Sequence, residues 1–88
     1  MFFIYVLKSE KTNRLYVGFT ADVTHRLGQH NSGITKSTKG RGPWVVVHQE
    51  EFATRTDAMN RERQLKTGQG RAELQRILSL RDSRVSAG

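Results

Sequence analysis

The feature that most constrains the fold of this sequence is a pair of short apolar segments, each carrying a tyrosine, on either side of a polar stretch. Residues 2–7 and 15–19 are rich in aromatic and β-branched side chains, and residues 9–13 between them are polar. Two such runs around a polar turn are typical of an antiparallel hairpin. Tyr5 and Tyr16 are therefore predicted to lie on paired strands. Whether they project to the same face depends on the pairing register, which the sequence leaves open.

The rest of the chain predicts one further strand and three helices. The predicted elements are a helix from an N-cap at Asp22 to about His30, a strand from Trp44 to about Glu51, a helix from Thr54 or Thr56 to about Thr67, and a helix from Arg71 to about Leu80. The strand is apolar at consecutive positions, which indicates that it is central in the sheet or covered by a helix. We expect an α/β (α+β) fold in which a three-stranded antiparallel sheet is flanked by about three helices.

The length and composition predict one small domain. A chain of 88 residues is close to the smallest size that a single core supports, so we expect one domain over residues 1–80 and a flexible polar tail over residues 81–88. No second catalytic, targeting or specificity domain is expected. Cysteine is absent, which excludes disulfides and thiolate metal sites and favours a reducing, cytoplasmic location. No apolar run approaches the roughly 20 residues that span a bilayer, so we expect a soluble protein with no membrane partner.

The charge of the chain favours a polyanionic partner. Fifteen Lys and Arg against eight Asp and Glu give a formal charge of +7 and a pI near 10.6. Lys36, Lys39 and Arg41 lie in a Gly-, Ser- and Thr-rich segment, residues 34–42, which is predicted to be a mobile loop without any acidic residue. These three cations suit contacts to a phosphate backbone. Basic charge alone is common in small proteins, so the loop is also compatible with a plain solvated surface.

Two helical patterns place polar side chains where chemistry is possible. Arg26 and His30 are four residues apart and so lie on one face of the first helix. Glu62 interrupts an apolar stripe formed by Ala58 and Leu65 on the second helix. A carboxylate in such a place is expected to be paired or metal-bound. The pattern itself leaves open an ion pair with a nearby arginine or lysine.

Together these residues resemble the GIY-YIG nuclease family, in its small single-domain bacterial branch that is similar to the catalytic domain of excision-repair endonucleases. The resemblance covers roughly residues 2–80. It is carried by the residues Phe3-Ile4-Tyr5, Tyr16-Val17-Gly18, Arg26, His30 and Glu62. One departure is that Phe3 stands where the family name has glycine.

The resemblance implies a metal-dependent endonuclease that hydrolyses phosphodiester bonds in DNA, with RNA also possible, in repair or in the processing of structured DNA. It implies that Tyr5 and Tyr16 handle the proton of the attacking water, with Tyr16 favoured as the base. Arg26 and His30 would meet the phosphate charge or assist proton transfer, and Glu62 would hold one Mg²⁺ or Mn²⁺. Gly18 would support the site by allowing close approach to its strand.

Two other functions stay open. A nucleic-acid-binding module with weak or no cleavage is the first, and an accessory protein of a repair or ribosomal assembly is the second. Phe3 and residues 67–71, which depart from the pattern after the second helix, are the reasons to keep both. The sequence does not specify the nucleic-acid structure that would be cut or the oligomeric state.

Overall fold

The chain folds as a three-stranded sheet with three helices, as the sequence predicts. The structure is a computed structural model that describes residues 1–36 and 38–87, with side chains as far as residue 80. Its elements in chain order are β1 (Phe2–Ser9), β2 (Leu15–Thr20), α1 (Val23–Ser32), β3 (Trp44–Phe52), α2 (Arg55–Leu65) and α3 (Gly68–Ala87). The sheet has the order β2-β1-β3 and both pairings are antiparallel.

The central strand is β1, and β3 lies at an edge. The sequence predicted that β3 would be central or backed by a helix. The central position is wrong, whereas α1 and α2 do both pack against β3. The continuous apolar run of β3 reflects these two helices, one on each side of an edge strand. Residues along β3 therefore alternate only imperfectly between buried and exposed.

Opposite faces of β1 contribute to two separate apolar clusters. Ile4 and Val6, both fully buried, pack with the side chains of α2 and α3. Tyr5 and Leu7, at most 1% exposed, face the other way and pack with residues of α1 and with Trp44. This alternation is the ordinary period of a strand covered on both faces. The sheet is thus a middle layer between α1 and the α2–α3 pair.

The helix boundaries follow recognisable capping residues. Asp22 precedes α1 and its side chain accepts a 3.0 Å hydrogen bond from the backbone N–H of His25, as predicted for an N-cap. Gly33 ends the helix with a φ of 83°, a left-handed conformation that glycine adopts without steric cost. Thr54 caps α2 in the same way through the N–H of Asp57.

The start of α3 differs from the prediction. It begins at Gly68 instead of Arg71. The first turn of α3 packs closely against the backbone at the end of α2, which is possible because Gly70 has no side chain. A Cβ at Gly70 would overlap the carbonyl oxygen of Gln64. The helix also continues beyond its predicted end at about Leu80, to Ala87. The flexibility predicted for residues 81–88 stays a prediction. Among the described residues, no helix combines the length and apolarity needed to cross a membrane.

Candidate active site

The two motif tyrosines lie on the same face of the sheet. The register pairs Tyr5 with Gly18 and Leu7 with Tyr16, so both tyrosines project toward α1. Their ring centroids are 6.4 Å apart. The ring of His30 lies 5.8 Å from that of Tyr5 and 4.8 Å from that of Tyr16. The strands β1 and β2 and the helix α1 therefore each contribute one ring to a single aromatic cluster.

Hydrogen bonds connect the centre of this cluster to the loop after α1. The Tyr5 hydroxyl lies 3.0 Å from Nε2 of His30, and Nδ1 of His30 lies 2.7 Å from Oγ1 of Thr38. The Thr38 hydroxyl can donate to the Thr35 carbonyl, 3.4 Å away. We assign the proton of neutral His30 to Nδ1, because Thr38 Oγ1 then accepts it while Nε2 accepts from the Tyr5 hydroxyl. All three side chains in the chain from Tyr5 to Thr38 are at most 2% exposed.

Burial keeps both partners of the Tyr5–His30 bond neutral. Desolvation raises the pKa of Tyr5, and the neighbouring Tyr16 and Glu62 act in the same direction, although Arg26 opposes them. Desolvation also lowers the pKa of His30, and the positive charge of Arg26 lowers it further. At neutral pH, His30 is therefore an uncharged acceptor that faces a protonated phenol.

Arg26 lies beside this pair on α1. Its side chain is half-buried and donates a 2.8 Å hydrogen bond to Oε1 of Gln29, one turn further along. Arg26 affects the pKa of Tyr5 and that of His30 in the directions expected for a nearby cation. The predicted pairing of Arg26 and His30 on one helix face thus brings a fixed positive charge to the aromatic cluster. It leaves guanidinium N–H groups for a further anionic partner.

Glu62 reaches the same region from α2. Its side chain is 21% exposed, between the fully buried Ala58 and Leu65, and it contributes to raising the pKa of Tyr5. The ion pair that the sequence left open is present with Lys66, at 3.8 Å between Oε1 and Nζ. Lys66 Nζ also lies 6.0 Å from the centre of the Tyr16 ring. Because the Lys66 side chain is 50% exposed, this long pair leaves the carboxylate accessible to another cation.

Gly18 provides the space that Tyr5 occupies. A Cβ at residue 18 would lie 2.5 Å from the Tyr5 hydroxyl oxygen and 2.7 Å from Cζ. No real Cβ tolerates such distances, so any larger residue would displace the phenol. The role proposed for glycine in the second motif therefore has a geometric cause, which is the ring of the first-motif tyrosine.

The basic loop stands at the edge of the cluster. Lys36, Lys39 and Arg41 are exposed. The loop was predicted to be mobile, but it is attached to the domain at several points. Besides the contact of Thr38 with His30, the Trp44 indole donates to the Thr38 carbonyl at 3.1 Å, and the Ser9 hydroxyl donates to the Arg41 carbonyl.

Two residues of the site were missed by the sequence analysis. Thr38 lies in a loop whose Ser and Thr residues follow no periodic pattern, so nothing in the sequence distinguishes it from its neighbours. Lys66 could have been identified, because it follows Glu62 by four residues on the same helix. Trp44 is 3% exposed and packs beside Tyr16.

A second polar cluster lies away from these residues and joins β3, α2 and α3. The guanidinium of Arg61 binds Glu50 through Nε at 2.8 Å and Glu73 at 2.9 Å. His48 Nε2 lies 2.8 Å from the other oxygen of Glu50. His48 and Glu50 thus belong to an ionic network that ties the helices to the edge strand.

Comparison with known proteins identifies relatives of this chain. Residues 1–75 match the profile of the GIY-YIG catalytic domain. The UPF0213 protein SH2523 of Staphylococcus haemolyticus is 41% identical over 76 residues, which cover 85% of this chain and 92% of that protein. The UPF0213 protein lwe0147 of Listeria welshimeri is 49% identical over 61 residues, 68% of this chain and 67% of that protein. The names of these relatives state no activity.

A solved structure shares the fold. The solution NMR structure of the UPF0213 protein BH0048 from Bacillus halodurans matches with a TM-score of 0.54 and 31% sequence identity. The match covers 88% of this chain and 85% of that one. Sequence and fold therefore agree over nearly the same span of the chain.

Proposed function

Because this chain belongs to the GIY-YIG catalytic domain family, among the small UPF0213 proteins, we propose that it is a divalent-metal-dependent endonuclease that hydrolyses phosphodiester bonds in DNA. The observation that supports this most directly is the convergence of Tyr5, Tyr16 and His30, with Arg26 and Glu62 close enough to shift the pKa of Tyr5. These five residues come from four different elements. A cluster of this composition has the groups that a hydrolysis of this kind needs.

Tyr16 is the residue that we assign to contact the attacking water. It is half-buried, whereas Tyr5 is 1% exposed and its hydroxyl already bonds to His30. As the water attacks phosphorus, its proton must leave toward a base. Neutral His30 is the acceptor within the cluster, and its Nε2 accepts the hydrogen bond of the Tyr5 hydroxyl. The proton of the water therefore reaches His30 through Tyr5, whose oxygen takes up a proton as its own passes to Nε2. Thr38 positions the ring through Nδ1.

Arg26 is assigned to the scissile phosphate. Its forked donors suit phosphate oxygens, and its charge is permanent. His30 is only 2% exposed, so direct contact between its ring and a phosphate is disfavoured. We therefore divide the two roles that the sequence gave jointly to these residues, with phosphate binding at Arg26 and proton acceptance at His30.

Glu62 fits a role in holding one Mg²⁺ or Mn²⁺. These ions prefer oxygen ligands and are often held by one or two carboxylates, with water and substrate phosphate completing the shell. Among the described residues there is no group of three or more His, Asp or Glu side chains that would form a protein cage. A single accessible carboxylate beside the tyrosines agrees with the first arrangement. Such an ion would supply charge stabilisation for the phosphoryl oxygens and the leaving oxygen.

The test is cleavage of supercoiled plasmid in Mg²⁺ or Mn²⁺ by the wild type and three variants. We expect nicking by the wild type and its loss, by at least about 100-fold, in Glu62→Gln and Tyr16→Phe. Glu51→Gln is the matched control, because Glu51 is an exposed carboxylate on β3. It should cleave like the wild type. Glu62→Gln should still bind DNA, since the basic loop is unchanged.

The same experiment separates the other two functions. Binding of DNA without Glu62-dependent cleavage would contradict the nuclease proposal and favour a binding module. An affinity that does not fall with added salt would contradict phosphate capture and favour an accessory protein. Repeating the assay with labelled RNA compares the two nucleic acids directly.

A further inference from the structure

A pocket lies along the outer edge of β2, between that strand and the corner where α2 meets α3. Its volume is about 520 Å³, which is within the range of roughly 300–1,000 Å³ that small-molecule sites occupy. The half-buried Leu15 supplies apolar surface above the buried Leu65 and Leu74, and Asn13 and Gln75 supply amide groups. Tyr16 and Lys66 line it as well, so the pocket is continuous with the candidate active site.

The charged side chains that line this pocket are all cationic. They are Arg14, Lys66 and Arg71. The side chains of Arg14 and Arg71 form no hydrogen bond or ion pair with another described residue, and both are exposed. Among the described residues, the one ion pair of Lys66 is the 3.8 Å contact with Glu62. Three cations around an apolar surface, two of them without an anion, are suited to an amphipathic anion.

Two features of this pocket do not stabilise the fold: the cationic side chain of Arg71 and the unpaired outer edge of β2. Arg71 follows the first residues of α3, where the positive end of the helix dipole disfavours a cation. In contrast, the corresponding turn of α2 carries Asp57. The outer edge of β2 pairs with no other strand in the described part of the chain. Backbone groups on that edge are therefore available to a ligand.

We propose that this pocket binds one unpaired nucleotide of the substrate strand, next to the scissile phosphate that Arg26 holds beside Tyr16. Arg14, Lys66 and Arg71 contact its phosphate, and its base lies against the side chain of Leu15. A nucleotide combines the two properties that the pocket requires, a flat apolar face and a negative charge. This inference rests on the proposed nuclease function, because the contact with Tyr16 is what relates the pocket to a phosphodiester.

The basic loop would guide the strand on the other side of the tyrosines. The loop packs on the α1 face of the sheet through Thr38, whereas the pocket is formed by β2 and the α2–α3 corner. A strand crossing Tyr16 would thus meet cations before and after the scissile phosphate. A base that enters the pocket must be unstacked, so duplex DNA would have to open locally to fill it.

The test is a ¹H–¹⁵N NMR titration of the full-length protein, without divalent metal, using 5′-phosphorylated dithymidylate as the probe. We expect shifts at the amides of Arg14, Tyr16, Arg71 and Gln75. Arg71→Gln should weaken binding at least about tenfold, and Arg76→Gln, an exposed arginine elsewhere on the same helix, should not. Thymidine alone and inorganic phosphate alone should each bind much more weakly than the probe.

Shifts confined to the basic loop, or equal weakening by both arginine variants, would overturn the pocket assignment. Binding of inorganic phosphate as tight as that of the probe would also overturn it, because the base would then contribute nothing. The titration involves no cleavage, so it also separates this inference from the nuclease proposal. Binding of the probe at these amides by a wild type that does not cut DNA would support the pocket and contradict the nuclease proposal.

Discussion

The hydroxyl of Tyr5 lies 3.0 Å from Nε2 of His30, and this bond joins the middle strand of the sheet to the first helix in a fully buried position. Desolvation raises the pKa of Tyr5 and lowers that of His30, so both partners are neutral at pH 7. Because both groups are neutral, the bond places no uncompensated charge in the interior of the resting protein.

Acidification should destabilise the fold through His30. The pKa of His30 is below its ordinary value of 6.5 in the folded protein. As the pH falls below about 6.5, the unfolded chain therefore takes up a proton before the folded chain does, and the free energy of unfolding decreases. The contribution is fully present above that pH and is lost as the pH falls toward the folded-state pKa. Urea denaturation between pH 7.5 and 5.5 measures this slope.

The variant for this prediction is His30→Gln, which removes the titrating group and retains an amide oxygen for the Tyr5 hydroxyl. Its free energy of unfolding should change less with pH over the same range than that of the wild type. His25→Gln is the control, because His25 is exposed on the same helix. Identical slopes for the wild type and His30→Gln would contradict the assignment.

Gly18→Ala should disrupt the candidate site from a position that performs no chemistry. The new Cβ would meet the Tyr5 hydroxyl at 2.5 Å and force the ring away from His30. We expect a loss of about 1–3 kcal/mol in the free energy of unfolding, as for other overpacked sites, together with loss of cleavage. Gly28→Ala is the matched control, because nothing lies within 4 Å of its Cβ. That change, in the middle of α1, should stabilise the protein by about 0.5–1 kcal/mol. Denaturation and nicking assays on both variants check this pair.

The sequence was sufficient for the number and type of the elements, because these depend on local patterns. Aromatic and β-branched runs on either side of a polar turn identified β1 and β2, and Asp22 and Thr54 marked helix starts that the structure reproduces. The spacing of Arg26 and His30 correctly put them on one helix face. What remained open was the register, since a shift of one residue would have turned Tyr16 away from Tyr5.

Features that depend on tertiary packing were not accessible from the sequence. The edge position of β3 was missed because an apolar run looks the same on an edge strand that two helices cover as on a central strand. The hydrogen bond between Thr38 and His30 depends on the conformation of an irregular loop. Hydrogen bonds from Trp44 and Ser9 to the backbone of that loop hold it in place. Only the folded chain brings these groups together.

The corner between α2 and α3 should depend strictly on Gly70. A Cβ there would overlap the Gln64 carbonyl oxygen and lie 2.6 Å from Cα of Leu65. Because these are backbone atoms, they cannot move aside without separating the helices. Gly70→Ala should therefore lower the free energy of unfolding by about 3 kcal/mol, measured by urea denaturation. Gly68→Ala, with no atom within 4 Å of its Cβ, should change it by no more than about 1 kcal/mol. Equal effects of the two changes would contradict the packing described here.

Arg61→Met should destabilise the protein in a pH-dependent way. Burial alone would raise the pKa of Glu50, but hydrogen bonds from Arg61 and His48 outweigh it and hold that pKa below the ordinary value of 4.5. This stabilisation is present above about pH 4.5 and is lost as the pH falls through the folded-state pKa. Without Arg61 the partly buried carboxylate is under-compensated, which should cost about 1–3 kcal/mol at pH 7.

The measurement is urea denaturation of the wild type and Arg61→Met at pH 7 and pH 3.5. The difference between them should shrink at the lower pH, where Glu50 is protonated in the variant. Arg63→Met is the control, since Arg63 is exposed on the same helix and forms no ion pair with a described residue. A difference that is unchanged between the two pH values would show that Arg61 acts through packing of its stem.

Replacing the three cations of the basic loop should weaken DNA binding in a salt-dependent way. Each phosphate contact that is lost from duplex DNA reduces the slope of log K against log salt by about 0.9, so changing Lys36, Lys39 and Arg41 together to Gln should reduce it by up to about 2.7. The control changes Arg55, Arg63 and Arg76 to Gln, which removes the same charge from exposed positions on α2 and α3. Fluorescence anisotropy across a salt series measures both slopes. If the slope of log K against log salt falls equally in the two triple variants, binding depends on the net charge of the protein. The proposal that the loop contacts the phosphate backbone would then be contradicted.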